Sequence, residues 1–188
     1  MELSAEDKKE LLKLARMSIG FELDECGRPE KPIGGKALNA LCGAFVTLHL
    51  HGELRGCIGY IEARFPLTQT IQEAAEKAAF EDPRFSPLTS EEFKNIDIEI
   101  SVLSPLKKVA DVSEIQVGTH GLVIDSGYSR GLLLPQVAVE YGWGREEFLS
   151  HTARKAGLAP DAWKREDVTL YLFTSEVFSE RQLSVPTD

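Results

Sequence analysis

A thiol and a guanidinium lie two residues apart in the stretch LRGCIG, residues 54–59. Residues i and i+2 of a β-strand share a face, so we expect Arg55 and Cys57 to point the same way, with their Cα atoms roughly 6–7 Å apart. A guanidinium at that range favours a thiolate over a thiol. The stretch therefore predicts a reactive or ligand-binding Cys57 that Arg55 activates. The alternative is an inert buried cysteine at a strand bend, because free cysteine is among the most buried residue types.

Two glycines, Gly56 and Gly59, bracket this cysteine. A residue without a Cβ atom lets a ligand or another segment of backbone approach the strand closely. We therefore expect both glycines to line the site around Cys57.

A carboxylate for this site is available in the run 96–103, where apolar residues alternate with Asp97, Glu99 and Ser101. The alternation predicts a strand with one core face and one polar face. If the polar face lines a cleft, Glu99 is the carboxylate best placed for proton transfer. Otherwise this face is simply exposed to solvent, as is common in antiparallel sheets.

Four further polar residues are candidates for the same site. Asp82 and Arg84 lie in a predicted turn, where they either complete a pocket near Cys57 or form an ion pair that fixes the turn. Gln136 begins a short predicted helix and would either bind backbone or contact a polar ligand. His151 lies beside the apolar stripe of a predicted helix, and is either a packed or surface histidine or a base acting on Cys57.

Metal and cofactor sites are not indicated. His49 and His51 could share a strand face, but no third ligand is identifiable nearby and a zinc site needs three or four. Cys26, Cys42 and Cys57 are an odd number without C-x-x-C spacing, so neither a disulfide framework nor a zinc knuckle is predicted. The glycines match neither the Walker loop nor the G-x-G-x-x-G fingerprint of nucleotide-binding proteins. The sequence thus predicts no metal and no cofactor, and it fits a reducing compartment.

The elements that must position these residues follow from hydrophobic periodicity and from turn and cap residues. The pattern predicts helices over 4–19, 66–80 and 145–156, a short helix capped by residues 89–92, and strands over 43–50, 53–62, 96–103, 118–125, 131–135 and 168–178. Hairpins rather than regular βαβ units favour an α+β fold with a mainly antiparallel sheet and flanking helices. We expect one compact domain over residues 1–188, with room for two lobes, ending in a frayed tail at 182–188.

Composition excludes several classes of protein. The chain has 188 residues, of which 43% are hydrophobic and 27% charged, as in ordinary globular domains. No apolar run reaches the 18 or so residues of a membrane helix, and the acidic amino terminus lacks a signal-peptide pattern. We therefore expect a cytoplasmic protein without a membrane partner. A formal net charge of −9 opposes binding to phosphate backbones, so nucleic-acid binding is disfavoured.

Several ordered motifs carry a resemblance to a known family. LRGCIG at 54–59, AFEDPRF at 79–85, the run 97–103 and GLLLPQVA at 131–138 together resemble the signature of the AMMECR domain family. Its bacterial and archaeal members are labelled AmmeMemoRadiSam system protein A. The resemblance extends from the first helix to the last strand and implies one compact α+β domain. The label also implies a role beside a Memo-type protein and a radical SAM enzyme.

Two functions remain open at this point. In the first, residues 54–59 form a small-molecule or partner-handling site, with Cys57 as nucleophile or redox thiol and Glu99 or a histidine as proton carrier. Arg84 and Gln136 would then position a small polar or anionic ligand. In the second, the protein is a non-catalytic interaction or scaffold protein in which the LRGCIG stretch is structural.

Overall fold

The computed structural model describes residues 3–29 and 35–183. The chain divides into two compact units, Met1–Leu103 with Glu176–Asp188, and Ser104–Ser175. Residues 184–188 of the predicted tail lie outside the described residues. Among the described helices, none has the length and apolar character needed to cross a membrane.

The first unit begins with helix α1, Ala5–Glu22. Ser4 caps it: its hydroxyl accepts a hydrogen bond from the backbone N–H of Asp7, whose carboxylate in turn accepts from the Ser4 backbone. A hairpin of β1, Ala44–Leu50, and β2, Glu53–Tyr60, follows. Both residues of its turn are in the left-handed region, with φ of 55° at His51 and 88° at Gly52, as a two-residue hairpin turn requires. These elements confirm the predicted helix and hairpin.

A β-bulge interrupts the hairpin at Arg55. Pairing runs regularly from the turn to His49, which lies opposite Leu54, but Leu48 then lies opposite Gly56 and Arg55 has no partner on β1. The alternation that predicted a shared face for Arg55 and Cys57 therefore does not hold, because an extra residue shifts every later side chain of the strand by one position.

The next three elements of the first unit agree with the predicted periodicity. Helix α2, Leu67–Phe80, is followed by the short helix α3, Ser90–Phe93, and by strand β3, Ile96–Leu103, which pairs antiparallel with β1. The side chains of Val46 and Leu48 in β1 are fully buried. They belong to the core of this unit, which also holds the apolar face of β3 and the inner residues of α1 and α2.

The second unit has its own sheet and core. Its elements, in chain order, are β4 (Lys107–Lys108), β5 (Gly121–Asp125), β6 (Arg130–Leu133), α4 (Pro135–Glu140), α5 (Arg145–Lys155) and β7 (Thr169–Phe173), with short 3-10 turns at Val112–Glu114 and Ala162–Lys164. The strands lie in the order β4-β7-β5-β6, with antiparallel pairing. Phe148 and Leu149 of α5 are fully buried in this core.

The predicted last strand, 168–178, is wrong as a single strand. It is two strands, β7 and β8 (Ser175–Ser179), which belong to different sheets, and β8 lies beside β3 at the end of the order β2-β1-β3-β8. Thr174 separates them because its backbone bonds to Ser104: its N–H donates to the Ser104 Oγ at 2.9 Å and its carbonyl accepts from the Ser104 N–H at 2.8 Å. Helix α6, Glu180–Leu183, ends the described chain. Two antiparallel sheets with helices confirm the predicted α+β class.

Candidate functional site

The thiol of Cys57 lies in a cross-strand row with a hydroxyl and a carboxylate. The register places Thr47 of β1 opposite Cys57 of β2 and opposite Glu99 of β3. Directly paired residues have their side chains on the same face of a sheet. The Thr47 hydroxyl donates a hydrogen bond to the Cys57 Sγ at 3.3 Å. We call this face, defined by Cys57, Thr47 and Glu99, the polar face of the first sheet.

The environment of this thiol favours its neutral form. Burial is the largest influence and raises the pKa of Cys57 above its ordinary value. The hydrogen bond from Thr47 and the charge of Arg84 lower the pKa, whereas the charges of Asp82 and Glu99 raise it. Burial therefore acts against the thiolate that Arg55 was predicted to favour.

Arg55 is bound by a carboxylate that sequence reasoning did not connect with it. Its Nε and Nη2 donate to the two carboxylate oxygens of Glu92 at 2.9 and 3.0 Å. Nη2 also donates to the carbonyl oxygen of Ser86 at 3.0 Å. The Arg55 side chain is only 9% exposed, and its guanidinium holds the pKa of Glu92 at about 2. The guanidinium that lowers the pKa of Cys57 is that of Arg84.

Both glycines are needed by the packing of the chain itself. A Cβ atom at Gly56 would lie 2.1 Å from the carbonyl oxygen of Ala78, so helix α2 packs directly against this strand. A Cβ atom at Gly59 would lie 2.3 Å from the carbonyl oxygen of Ala44 and 2.5 Å from the ring of Phe45. The close approach predicted at these positions is therefore made by backbone at Gly56, and by backbone and an aromatic ring at Gly59.

Asp82 and Arg84 form an ion pair that also binds the backbone of Cys57. The Cys57 N–H donates to Asp82 Oδ2 at 2.9 Å, and Arg84 Nη2 donates to the Cys57 carbonyl oxygen at 3.4 Å. Arg84 bonds to both oxygens of Asp82, through Nε at 2.9 Å and Nη2 at 2.7 Å. These bonds hold the pKa of Asp82 well below its usual range. Asp82 is buried, whereas the Arg84 side chain is 52% exposed.

The two remaining predicted residues belong to the second unit. Gln136 is the second residue of α4 and is half-buried. The imidazole of His151, on α5, stacks on the indole of Trp143, with ring centroids 3.8 Å apart and planes 3° from parallel. His151 is thus a packed histidine in its own unit. No group of three or more His, Cys, Asp or Glu side chains in the described ranges could hold a metal ion.

Sequence reasoning missed Thr47 and Glu92. A regular hairpin turning at two residues pairs positions whose numbers sum to a constant, which places Cys57 opposite Val46 rather than Thr47. The bulge changes this pairing. Gly56, directly after Arg55, is the local signal that could have indicated it, because a glycine inside a strand often marks a bulge. Glu92 was recognised only as part of the cap of α3, where its carboxylate accepts from the Thr89 N–H at 3.0 Å.

Comparisons with known proteins agree with one another. A family model described as AMMECR1 matches residues 12–178. The chain is 44% identical over 185 residues to a protein of Methanothermobacter thermautotrophicus, covering 95% of this chain and 96% of that one. It is 48% identical over 153 residues to Protein MJ0810 of Methanocaldococcus jannaschii, covering 77% and 76%. The crystal structure of uncharacterized protein PH0010 from Pyrococcus horikoshii is similar, with a TM-score of 0.86 at 40% identity over 95% of this chain and 93% of that chain.

Proposed function

This chain belongs to the AMMECR1 family, and we propose that it binds a small polar ligand with an anionic group beside Cys57 on the polar face. The observation that carries this proposal is the guanidinium of Arg84, half-exposed yet fixed by the buried carboxylate of Asp82. A guanidinium held in one geometry loses little entropy on binding an anion and forms charge-assisted hydrogen bonds with it. The described hydrogen bonds of Arg84 use Nε and Nη2, so Nη1 is the donor assigned to the ligand.

The other residues of the polar face supply contacts to the rest of the ligand. Thr47 lies at the centre of the row and Glu99 at the end opposite Cys57, and a hydroxyl and a carboxylate suit donor groups such as an amine or hydroxyl. Cys57 contributes a neutral thiol. A thiolate nucleophile would need a lowered pKa, whereas burial raises that of Cys57, so binding rather than covalent chemistry is the function assigned to this residue.

The proposed setting is an enzyme system in the cytoplasm. The resemblance to AmmeMemoRadiSam system protein A supports a Memo-type protein and a radical SAM enzyme as partners. In that setting the chain holds or presents the ligand while a partner performs the reaction. The predicted roles of Gln136 and His151 at the ligand stay predictions.

One set of contacts favours a second candidate function, that of an interaction or scaffold protein in which the LRGCIG stretch is structural. Arg55 is bound by Glu92, and the space beside Gly56 and Gly59 is occupied by other parts of the chain. Under this reading Arg84 serves only to bind Asp82 and the strand. The two functions therefore differ in whether Arg84 binds an anion.

Alkylation of Cys57 distinguishes the two functions. The rate of iodoacetamide labelling at each cysteine is measured by peptide mass spectrometry at increasing inorganic phosphate, with sodium chloride at equal ionic strength as reference. We expect phosphate to change the rate at Cys57 saturably, without changing it at the exposed Cys26. Arg84→Ala should abolish the effect, whereas Arg64→Ala, which removes an exposed arginine paired with Glu62, should retain it. A rate at Cys57 that is independent of phosphate supports the scaffold function.

A further inference from the structure

Tyr141 ends a stack of three aromatic rings in the second unit. Its ring centroid lies 4.9 Å from that of Trp143, with planes 15° from parallel, and Trp143 stacks in turn on His151. The turn between α4 and α5 holds this geometry. The backbone N–H of Trp143 donates to the carbonyl oxygen of Ala138 at 2.8 Å. Gly142 has a φ of 66°, a backbone conformation that favours glycine. His151 on α5 therefore supports Trp143, and Trp143 supports Tyr141.

The ring at the end of this stack is ordered but exposed. Tyr141 is 68% exposed. We call its exposed ring, together with the carboxylate of the preceding Glu140, the Tyr141 surface. A ring already held by stacking loses little entropy when a partner covers it.

The charge around the Tyr141 surface indicates what covers it. Glu140 adjoins Tyr141 in the chain, and Glu146 and Glu147 begin α5; all three are exposed. The cation in this segment is Arg145, whose Nε donates to the carbonyl oxygen of Ile115 at 2.9 Å. Three carboxylates against one guanidinium, on a chain of net charge −9, favour a cationic partner group. Of the two common cationic side chains, arginine stacks on an aromatic face and also bonds to carboxylates through its planar fork.

We infer that the Tyr141 surface docks an arginine side chain of a partner protein. The guanidinium stacks on the exposed face of Tyr141, and the neighbouring carboxylate of Glu140 favours its positive charge. This surface belongs to the second unit, whereas Cys57, Thr47, Arg84 and Glu99 belong to the first. The inference does not depend on the proposed function.

Nuclear magnetic resonance of the full chain tests this inference, because the chain has two tryptophans. The indole N–H signal of Trp143 reports on the stack, and that of Trp163 is an internal reference. The probe is a short Gly/Ser peptide with one central arginine, and the matched control carries citrulline, its uncharged isostere. We expect the arginine peptide to shift the Trp143 signal and to bind about two- to fivefold more tightly than the citrulline peptide, which corresponds to ~0.5–1 kcal/mol.

Variants separate stacking from charge. Tyr141→Ala should abolish the shift, whereas Tyr128→Ala, at an exposed tyrosine of the same unit outside the stack, should retain it. Glu140→Gln should weaken binding without altering the Trp143 signal of the free protein. This variant keeps the aromatic stack, so it tests the inference even if Tyr141→Ala loses local structure. Equal binding of the citrulline peptide, or a shift that survives Tyr141→Ala, overturns the inference. Tighter binding of adenosine than of the arginine peptide also overturns it and assigns the ring to a nucleobase.

Discussion

The carboxylate of Asp82 accepts a hydrogen bond from the backbone N–H of Cys57, with 2.9 Å between the nitrogen and Oδ2. Arg84, bound to the same carboxylate, donates to the carbonyl oxygen of Cys57. Strand β2 is at the edge of its sheet, where backbone groups have no neighbouring strand to pair with. The ion pair therefore satisfies the edge of the sheet at Cys57 as another strand would, and it fixes the guanidinium that we assign to the ligand.

Replacing Asp82 should lower stability at neutral pH. Asp82→Ala removes the acceptor for a backbone donor and for Arg84, which should lower the free energy of unfolding by about 1–3 kcal/mol. Because the pKa of Asp82 is lowered by folding, its contribution is present above the unfolded-state pKa of about 3.9 and is lost as the pH falls below it. Urea unfolding at pH 7 and at pH 3 checks this. Asp82→Ala and wild type should differ less at pH 3, and an equal difference at both values would contradict the prediction.

The ion pair of Arg55 and Glu92 should behave similarly and require arginine. Arg55→Lys cannot reproduce two parallel hydrogen bonds, so it should lose much of the stability lost by Arg55→Ala, about 2–3 kcal/mol. Since folding lowers the pKa of Glu92 to about 2, the stabilisation should be complete above about pH 4.5 and disappear as the pH falls toward 2. Thermal and urea unfolding across this range measure it. Arg64→Ala, in an exposed pair with Glu62, is the control and should change stability by less than about 1 kcal/mol.

The titration of Cys57 should depend on Thr47 and Arg84. Both lower its pKa against the dominant effect of burial, so Thr47→Val and Arg84→Ala should each move the alkylation midpoint to higher pH. Arg55→Ala should leave it unchanged, because that guanidinium is paired with Glu92. The pH dependence of iodoacetamide labelling, read by peptide mass spectrometry, decides the matter. A midpoint below the free-thiol value of about 8.5, raised by Arg55→Ala, would restore the activation predicted from strand alternation.

A methyl group at Gly56 should disrupt the packing of α2. The added Cβ atom would meet the backbone oxygen of Ala78 at 2.1 Å, and backbone cannot move aside as a flexible side chain can. Gly56→Ala should therefore cost about 3 kcal/mol or more. Gly27→Ala is the matched control, because nothing lies within 4 Å of the added atom. Denaturant midpoints compare the two, and a neutral Gly56→Ala would show that α2 is held less closely than described.

The hairpin turn offers a stabilising substitution. His51 has a φ of 55°, in the left-handed region that asparagine tolerates better than most residues. His51→Asn should raise the free energy of unfolding by about 0.5–1 kcal/mol. Gly52→Ala, at a φ of 88°, should lower it by about 1–2 kcal/mol. Thermal unfolding of both variants tests these two predictions. Destabilisation by His51→Asn would mean that the imidazole of His51 makes a stabilising contact.

Sequence alone determined the features that depend on neighbouring residues. The first helix, the two strands over 43–50 and 53–62, and the alternation of β3 were all predicted, because hydrophobic periodicity, turn residues and cap residues are local properties of the chain. The α+β class followed from their order. An ion pair between Asp82 and Arg84, which are two residues apart in the turn, was one of the two alternatives left open by the sequence.

Only the tertiary structure decided the surroundings of Cys57. Arg55 has no partner residue on β1, and this bulge moves the thiol of Cys57 from a position opposite Val46 in the core to one opposite Thr47 on the polar face. The contacts around that bulge come from distant parts of the chain: the Glu92 carboxylate binds Arg55, and α2 packs on Gly56 at Ala78. The division of the last strand at Thr174 likewise depends on Ser104, 70 residues away. Strand alternation describes a regular ladder, and it contains no information about side chains that reach the strand from elsewhere in the sequence.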